Sequence, residues 1–427
     1  MNQHDVASVR LKFLACVIAG QSPNGEDVTD VGSLPFIQGS AEFGNRSPSA
    51  TKWCDVAPKI AEEGDVLVSV RAPVGDANVA DRKIGIGRGV AAVRAKGQFA
   101  EKYLYWFFVS AKEVLRLQAT GTTFEAVSSS DLENLRVPLL SESLRLAIAS
   151  YLDVETARID ALIQAKLDLK TRLEGFAKST FLAEMLAHAK ALPGMEVDRM
   201  QWLPTVPTAW IRCKVKHLVE QFDQGVSPQC ESRPPSEHEW GVLKAGCINS
   251  GSFNPLESKA LPPEIASIPE VTVSKGDLII SRANTQSLVG RSAVAQKDYP
   301  TLMLSDKLYR LKLDRSRCVP EFIRRTLWIP AVRQRIEERA TGASPSMLNI
   351  DRRTILEIDV VLPSLPEQLR LLEIVDRRAD AIAELIRHVD RELDLLRDLR
   401  SSTVTDAVLG RIDIRAAVQN QRELEAA

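Results

Sequence analysis

Lys12-Phe13-Leu14 followed by Gly20-Gln21-Ser22-Pro23 returns later in the chain as Lys216-His217-Leu218 followed by Gly225-Val226-Ser227-Pro228. Gly64-Asp65-Val66-Leu67-Val68-Ser69-Val70-Arg71 returns, up to a one-residue slip, as Gly276-Asp277-Leu278-Ile279-Ile280-Ser281-Arg282. Ala119-Thr120-Gly121-Thr122 returns as Ala340-Thr341-Gly342-Ala343, and each copy closes on Val137-Pro138 or Leu362-Pro363 before a long segment rich in charge and leucine. The period is roughly 200 residues, far above the ~20 to 50 of solenoid repeats. Each repeat is therefore a whole domain plus a helix.

A chain of 427 residues exceeds one ordinary core. With 44% hydrophobic and 26% charged residues it has a globular composition. No stretch is long and apolar enough to cross a bilayer, and Met1-Asn2-Gln3-His4-Asp5 lacks the basic-then-apolar pattern of a secretory leader, so a soluble cytoplasmic protein is expected. Cys16, Cys54, Cys213, Cys230, Cys247 and Cys318 are scattered with no C-x-x-C pair, which indicates buried thiols in place of a zinc site or a disulfide framework. A net charge of -1 gives no global attraction to a polyanion. Charge is segregated, however. From Arg282 to Arg353 basic residues outnumber acidic ones, and the first copy has a weaker set in Lys52, Arg71, Arg82, Lys83, Arg88, Arg94 and Lys96. A phosphate-facing strip and a solvated helix face both fit, the latter best for Arg333, Arg335 and Arg339 beside Glu337 and Glu338.

Short β-type runs between Gly, Pro and Asn turns, followed by a helix from about Tyr103 and another from Pro320 to about Arg339, make each copy an α+β domain with irregular sheets. The segments that follow are helical. Ile159, Leu162, Lys166, Leu169, Leu173 and Phe176 step by three and four, as do Ile382, Ile386, Val389, Leu393 and Leu396. That 3.5-residue period is the seam two helices need to pack over many turns. The reading is 1–140 first domain, 141–190 helical spacer, 191–363 second domain, 364–410 second helical spacer, 411–427 tail. At 1.5 Å per residue the first spacer spans on the order of 65 Å. Two long antiparallel helices would form a coiled coil between the repeated domains, in a pseudo-twofold, near-cyclic arrangement.

The order of these parts resembles the DNA-specificity subunits of type I restriction-modification systems. The residues that carry the resemblance are Leu365-Pro366-Glu367-Gln368 entering the second spacer, Ile159-Asp160-Ala161-Leu162-Ile163 in the first, the tail Gly410-Arg411-Ile412-Asp413-Ile414-Arg415, the Gly87-Arg88-Gly89 step and the Thr-Gly loops. The first spacer departs from the pattern, entering through Leu140-Ser141-Glu142-Ser143. The resemblance implies a non-catalytic, sequence-specific DNA-binding subunit. Each domain would be a target-recognition domain reading one half of an asymmetric, bipartite duplex site, and the helices would fix the unread gap. It implies two modification subunits, which carry S-adenosylmethionine and methylate adenine, and restriction subunits that use ATP and Mg. No cofactor is expected on this chain. Exposed apolar residues such as Leu144, Ile148, Leu372 and Leu385 are either docking stripes for those partners or buried against the chain's own domains.

Base readers must be polar side chains on exposed loops, because Arg bonds guanine in a bidentate manner and Asn or Gln bonds adenine, whereas phosphate contacts only position a domain. The candidates are Arg71 after the matched strand of the first copy, and Arg282, Asn284, Thr285 and Gln286 after that of the second. Arg71 and Arg282 are read as equivalent. From the Thr-Gly loops come Thr122, Thr123, Ser344, Ser346 and Asn349, whose hydroxyls fit capping of the next segment equally well. Lys52, Arg88, Lys244, Arg291 and Lys307 are phosphate candidates. Two readers on one face of a duplex prefer centres roughly 34 Å apart.

Enzyme readings find no site. Asn254-Pro255-Leu256-Glu257 lacks the second proline and the aromatic of an amino-methyltransferase loop. Gly85-Ile86-Gly87-Arg88-Gly89 precedes a strand and not a helix, His238-Glu239 has no second histidine four residues on, and no phosphate-binding G-x-x-x-x-G-K-[ST] loop occurs. No metal site is expected. The rival reading is a coiled-coil scaffold that gathers proteins without contacting DNA, which the basic run from Arg282 to Arg353 disfavours.

Overall fold

The computed structural model describes residues 7–97, 99, 101–119, 125–197, 205–344, 347–414 and 416–417. The chain forms two units, Met1–Leu169 with Val389–Ala427, and Lys170–His388.

The central strand of the first unit, Val66–Ser69, is buried at every position. Because successive side chains point to opposite faces, Val66 and Val68 enter one apolar cluster and Leu67 another. The sheet around it has the order Ala15–Ala19, Val90–Ala95, Val66–Ser69, Ala77–Val79, all antiparallel. A second sheet, Lys52–Cys54, Leu34–Ile37, Ile84–Ile86, Ile60–Ala61, contributes Ile37, Ala61, Ile84 and Ile86 to the cluster around Leu67. Its middle pair, Leu34–Ile37 with Ile84–Ile86, is parallel. The other face of the central strand lies under helix α1 (Glu101–Gln118), whose Tyr103, Leu104, Trp106, Phe108 and Leu115 are buried. A short helix α2 (Ser129–Asn134) and the pair Ser8–Arg10 with Arg136–Pro138 complete the domain.

The second unit repeats the two four-stranded sheets of this plan. Val219–Gln224, Leu308–Leu313, Leu278–Ser281 and Ser292–Val294 form one sheet; Ser258–Ala260, Gly241–Leu243, Tyr299–Met303 and Thr272–Val273 form the other, again with a parallel middle pair. Leu278 and Ile280 face the helical side and Ile279 faces the second sheet. The helix expected from Pro320 to about Arg339 is two helices, α4 (Pro320–Leu327) and α5 (Pro330–Glu338). Pro330 has no N–H to continue the ladder and restricts the residue before it, so the chain bends at Trp328-Ile329. A short helix α6 (Arg352–Leu356), capped by Asp351, precedes the strand Asp359–Leu362, which pairs with Ile211–Lys214.

The two charged, leucine-rich segments are the helices α3 (Glu142–Lys190, 49 residues) and α7 (Leu365–Val408, 44 residues). In the first unit Ile148 and Leu152 of α3 share a core with Val404, Ala407 and Val408 of α7. Asp160 pairs there with Arg400 at 2.7 Å, and Lys166 with Glu392 at 2.7 Å. In the second unit Phe181 and Met185 meet Leu371 and Val375, Glu184 pairs with Arg378, and His188 lies 3.1 Å from Glu367. Numbers rise along one helix as they fall along the other, so each unit holds an antiparallel pair. The Leu-Pro-Glu-Gln entry of α7 has a physical role: Glu367 accepts from the Ser364 amide, and the buried Gln368 side chain bridges Arg317, Pro363 and Val319.

The expected seam needs correction on α3. Ile159 is buried and Leu173 half-buried, but Leu162, Leu169 and Phe176 are 46%, 41% and 50% exposed. The inward row runs through Leu152, Thr156, Ile159, Ile163, Lys166, Lys170 and Leu173, stepping four and three in the phase that the packed residues Ile148 and Leu152 impose. Alternate expected positions are thus one residue off. On α7, Ile382, Val389 and Leu393 are buried and Ile386 and Leu396 half-buried. Ile148 and Leu372 are core residues and unavailable as docking stripes, Leu144 packs partly buried against the first unit's core, and Leu385 is exposed.

Two stability outcomes follow from the packing. A Cβ at Gly20 would lie 2.2 Å from the Gly87 carbonyl oxygen, and one at Gly225 2.0 Å from that of Leu304. Each meets backbone that cannot rotate away, so Gly20→Ala and Gly225→Ala should each lower stability by about 1–3 kcal/mol in urea melts. Glu357 takes an ion pair from both Lys214 and Lys216, which hold its carboxyl at about 2, below its ordinary 4.5. A depressed acid stabilises the fold above its unfolded value and loses that contribution as pH falls through its folded value. Glu357→Gln should therefore melt below the wild type at pH 7, with the difference shrinking as pH is lowered from 4.5 and vanishing near 2.

Candidate nucleic-acid interface

In both units the repeated sequence motifs converge on one end of the paired sheets. In the first unit Gly20 donates to the Val90 carbonyl at 3.0 Å and Gln21 to that of Ile86 at 2.9 Å, which lays Gly20-Gln21-Ser22-Pro23 against the turn Gly87-Arg88-Gly89. The Ser22 hydroxyl lies 3.1 Å from the Gln38 amide and accepts the Arg88 N–H at 3.4 Å. The Gly89 amide donates to the Gln38 carbonyl at 3.2 Å. The central strand leaves this corner through Val70, whose amide donates to the Gly89 carbonyl at 2.9 Å. Arg71 then bridges Ala126, and Val127 donates to Val70 at 3.0 Å, so the strand end lies beside the segment that follows the Thr-Gly loop. Thr122 and Thr123 fall outside the described residues.

The second unit builds the same corner with different side chains. Val226 donates to the Leu304 carbonyl at 3.1 Å, and the Ser227 hydroxyl donates to the Asp306 carboxylate and accepts the Asp306 N–H at 3.2 Å. The Arg282 amide donates to Lys307 at 2.8 Å, and its guanidinium donates to the Asp306 carbonyl at 3.1 Å. Ala283 and Asn284 pair with Asn349 and Leu348, in a small sheet that includes Thr341–Ser344. The structure thus brings Arg282, Asn284, Asn349, Lys307 and the strand bearing Ser344 together, with Thr285 and Gln286 exposed just beyond. Ser346 falls outside the described residues.

The pairing of Arg71 with Arg282 as equivalents is overturned by register. Val70 donates to Gly89 as Arg282 does to Lys307, and Val127 donates to Val70 as Ile350 does to Arg282. Arg282 therefore matches Val70, and Arg71 matches Ala283. One residue of slip turns a side chain to the opposite face of a strand, which is why Arg71 is exposed whereas Arg282 is half-buried against the Asp306 turn.

Most of the basic run from Arg282 to Arg353 is engaged inside its own domain. Arg310 is 2% exposed and donates to Asp223 at 2.6 Å and to the Glu270 carbonyl at 2.8 Å. Burial pushes the carboxyl of its neighbour Asp277 up, against the Ser274 amide and Arg310, which pull it down. Arg291 lies over Trp328 at 4.6 Å and donates to the Asn249 carbonyl at 3.2 Å; Arg352 lies over Phe222 at 4.3 Å. Arg333 donates to the Val289 carbonyl at 2.8 Å and pairs with Glu337, and burial lowers its pKa. The cationic candidates Lys52, Lys244 and Lys307 hold ion pairs with Asp30, Glu257 and Asp306. Arg71 and Arg88 are exposed, and among the described residues neither guanidinium has an intramolecular partner.

Sequence reading missed Gln38 and Asn249. Gln38 follows the parallel strand of the first unit at the position Lys244 holds in the second, and Asn249 accepts the Asn284 amide at 3.3 Å. The turn signal Asn249-Ser250-Gly251 marked the second; matching the two parallel strands would have marked the first. The thiol reading holds for Cys54, Cys247 and Cys318, the last two raised to about 12 by burial, but Cys16 is exposed. Among the described residues no His, Cys, Asp and Glu group is poised to hold a metal, and no helix is long and apolar enough to cross a membrane.

Residues 3–168 match the family model of the type I restriction modification DNA specificity domain. Over 160 residues, 37% of this chain and 37% of the relative, the sequence is 35% identical to a Methanocaldococcus jannaschii protein provisionally described as the type I restriction enzyme MjaX specificity subunit. Over 188 residues, 44% of this chain and 31% of the relative, it is 28% identical to the type I restriction enzyme EcoEI specificity subunit of Escherichia coli. The matched regions thus span about a third of the length of each relative. The fold is similar to that of a chain solved in a study of complex assembly and conformational transition of the type I R-M system, with a TM-score of 0.67 and 19% identity, covering 95% of this chain and 98% of that one.

The two classes of arginine should separate by stability. Arg310→Met removes the buried guanidinium that pairs with half-buried Asp223 and faces buried Asp277, and should cost about 3–5 kcal/mol. Arg71→Ala and Arg88→Ala should stay within about 0.5 kcal/mol of the wild type in the same denaturant melts.

Proposed function

We propose that this chain, whose residues 3–168 match the family model of the type I restriction modification DNA specificity domain, is the DNA-specificity subunit of a type I restriction-modification complex in the cytoplasm. Each unit reads one half of a bipartite, asymmetric duplex target. The observation that carries the reading is the same sheet corner built twice on one backbone plan with different side chains: Ser22, Gln38, Arg71 and Arg88 in one unit, Ser227, Arg282, Asn284 and Asp306 in the other. A duplicated scaffold with unlike tips suits two unlike half-sites.

The boundaries we assign are recognition domains at 1–140 and 191–363, helical spacers at 141–190 and 364–410, and a tail at 411–427. The spacers, α3 and α7, set the number of unread base pairs and carry the docking surface for two modification subunits, with restriction subunits joining them. Exposed apolar residues on these helices, Leu146, Val154, Leu385 and Leu395 among them, support that role. The chain contributes recognition and no chemistry of its own. In the assembly, S-adenosylmethionine serves the modification subunits and ATP with Mg the restriction subunits.

Titration of the full chain with its modification partner against duplex DNA tests this. Binding should weaken on the order of a thousandfold between about 50 and about 200 mM salt, as several released counterions require. Sequencing of methylated adenine in a host carrying the complete operon should return two unlike half-sites at a fixed gap. Binding at low salt that is absent or lacks a steep salt slope would instead support a protein scaffold.

A further inference from the structure

The two units place opposite charge at one structural position. In the first, the register Val66↔Val93 through Ser69↔Val90 is followed by the Val70–Gly89 hydrogen bond, and Arg71 and Arg88 are the next residues beyond it on the two segments. Both guanidiniums are exposed and, among the described residues, hold no ion pair. In the second unit the register Leu278↔Leu311 through Ser281↔Leu308 ends at Lys307, whose carbonyl accepts the Arg282 and Ala283 N–H groups, and Asp306 is the next residue along the turn, at the place Arg88 holds in the first. The backbone is shared, because Ser22 accepts the Arg88 N–H as Ser227 accepts the Asp306 N–H. The chemistry at the tip is exchanged.

A surface that meets DNA gains from cations anywhere along the phosphates, so Arg71 and Arg88 alone could be positioning contacts. Asp306 is different. Its carboxylate, 37% exposed, would repel phosphate, and it fits a DNA-facing corner when it accepts a hydrogen bond from a base amino group. One hydrogen bond from Ser227 and the loose 3.5 Å approach of Lys307 leave acceptor sites free on its two oxygens.

Resting on the reading of this chain as a specificity subunit, we propose that these matched positions determine specificity: Arg71 and Arg88 select guanine in the first unit's half-site, and Asp306 selects cytosine in the second's. The arginine fork bonds guanine O6 and N7, and the carboxylate accepts from cytosine N4.

The experiment selects bound duplexes from a library randomised in both half-sites, using the full chain with its modification subunit. The wild type should enrich guanine at one or two positions of one half-site and cytosine at a position of the other. R71A/R88A should lose roughly 5- to 150-fold of the guanine preference and leave the other half-site intact. R71K/R88K keeps the charge without the bidentate fork, so it should keep the affinity and salt slope of the wild type while still losing the preference. Asp306→Asn retains the acceptor for Ser227 and should relax only the cytosine position. Equal weakening on all sequences in R71A/R88A with the base preference kept, full preference in R71K/R88K, or an unchanged cytosine preference in Asp306→Asn would overturn the assignment while sparing the broader function. A wild type that enriches no sequence would overturn both.

Discussion

Val66–Ser69 and Leu278–Ser281 are buried on both faces, and the rest of each unit is arranged around that constraint. A strand with apolar side chains above and below needs a sheet on one side and helices on the other. The second sheet supplies the first cover, and α1, or α4 with α5, supplies the other together with the nearby stretches of α3 and α7. The same strand fixes the corner where the repeated motifs meet, because its last residue, Ser69 or Ser281, is buried and the next, Val70 or Arg282, is half-buried. Core and candidate interface are two consequences of one strand.

The duplication, the α+β class and the two long helices were legible because they are written in local patterns: matched glycine turns, period-two apolar runs and a leucine-rich stretch nearly free of breakers. What could not be read was phase. Arg71 and Arg282 look equivalent in sequence and differ by one residue in register, a difference set by which backbone amide reaches Gly89 or Lys307. The seam of α3 fails for the same reason. Its leucines mark one row, but packing around Ile148 and Leu152 sets another, and Thr156, Lys166 and Lys170 fall on the inward side. Hydrophobicity identified the helix without deciding how it is rotated.

The cationic candidates show why residue type alone is a weak guide to a polyanion site. Arg310, Arg333, Arg291 and Arg352 serve as staples, each joining strands or loops by bonds to carbonyl oxygens, carboxylates or an aromatic face. Arginine suits that work because its planar fork satisfies several acceptors from one buried position. Arg71 and Arg88 look no different on the page of sequence. What sets them apart is that, among the described residues, neither guanidinium has a partner.

The turn bearing Arg88 is held by main-chain atoms and one serine hydroxyl, none of which depends on the side chain at its tip. Stability and surface chemistry can therefore drift independently there. A point substitution at such a tip alters what the domain presents to its surroundings without unsettling the core, so one inherited architecture can acquire new binding preferences in single mutational steps.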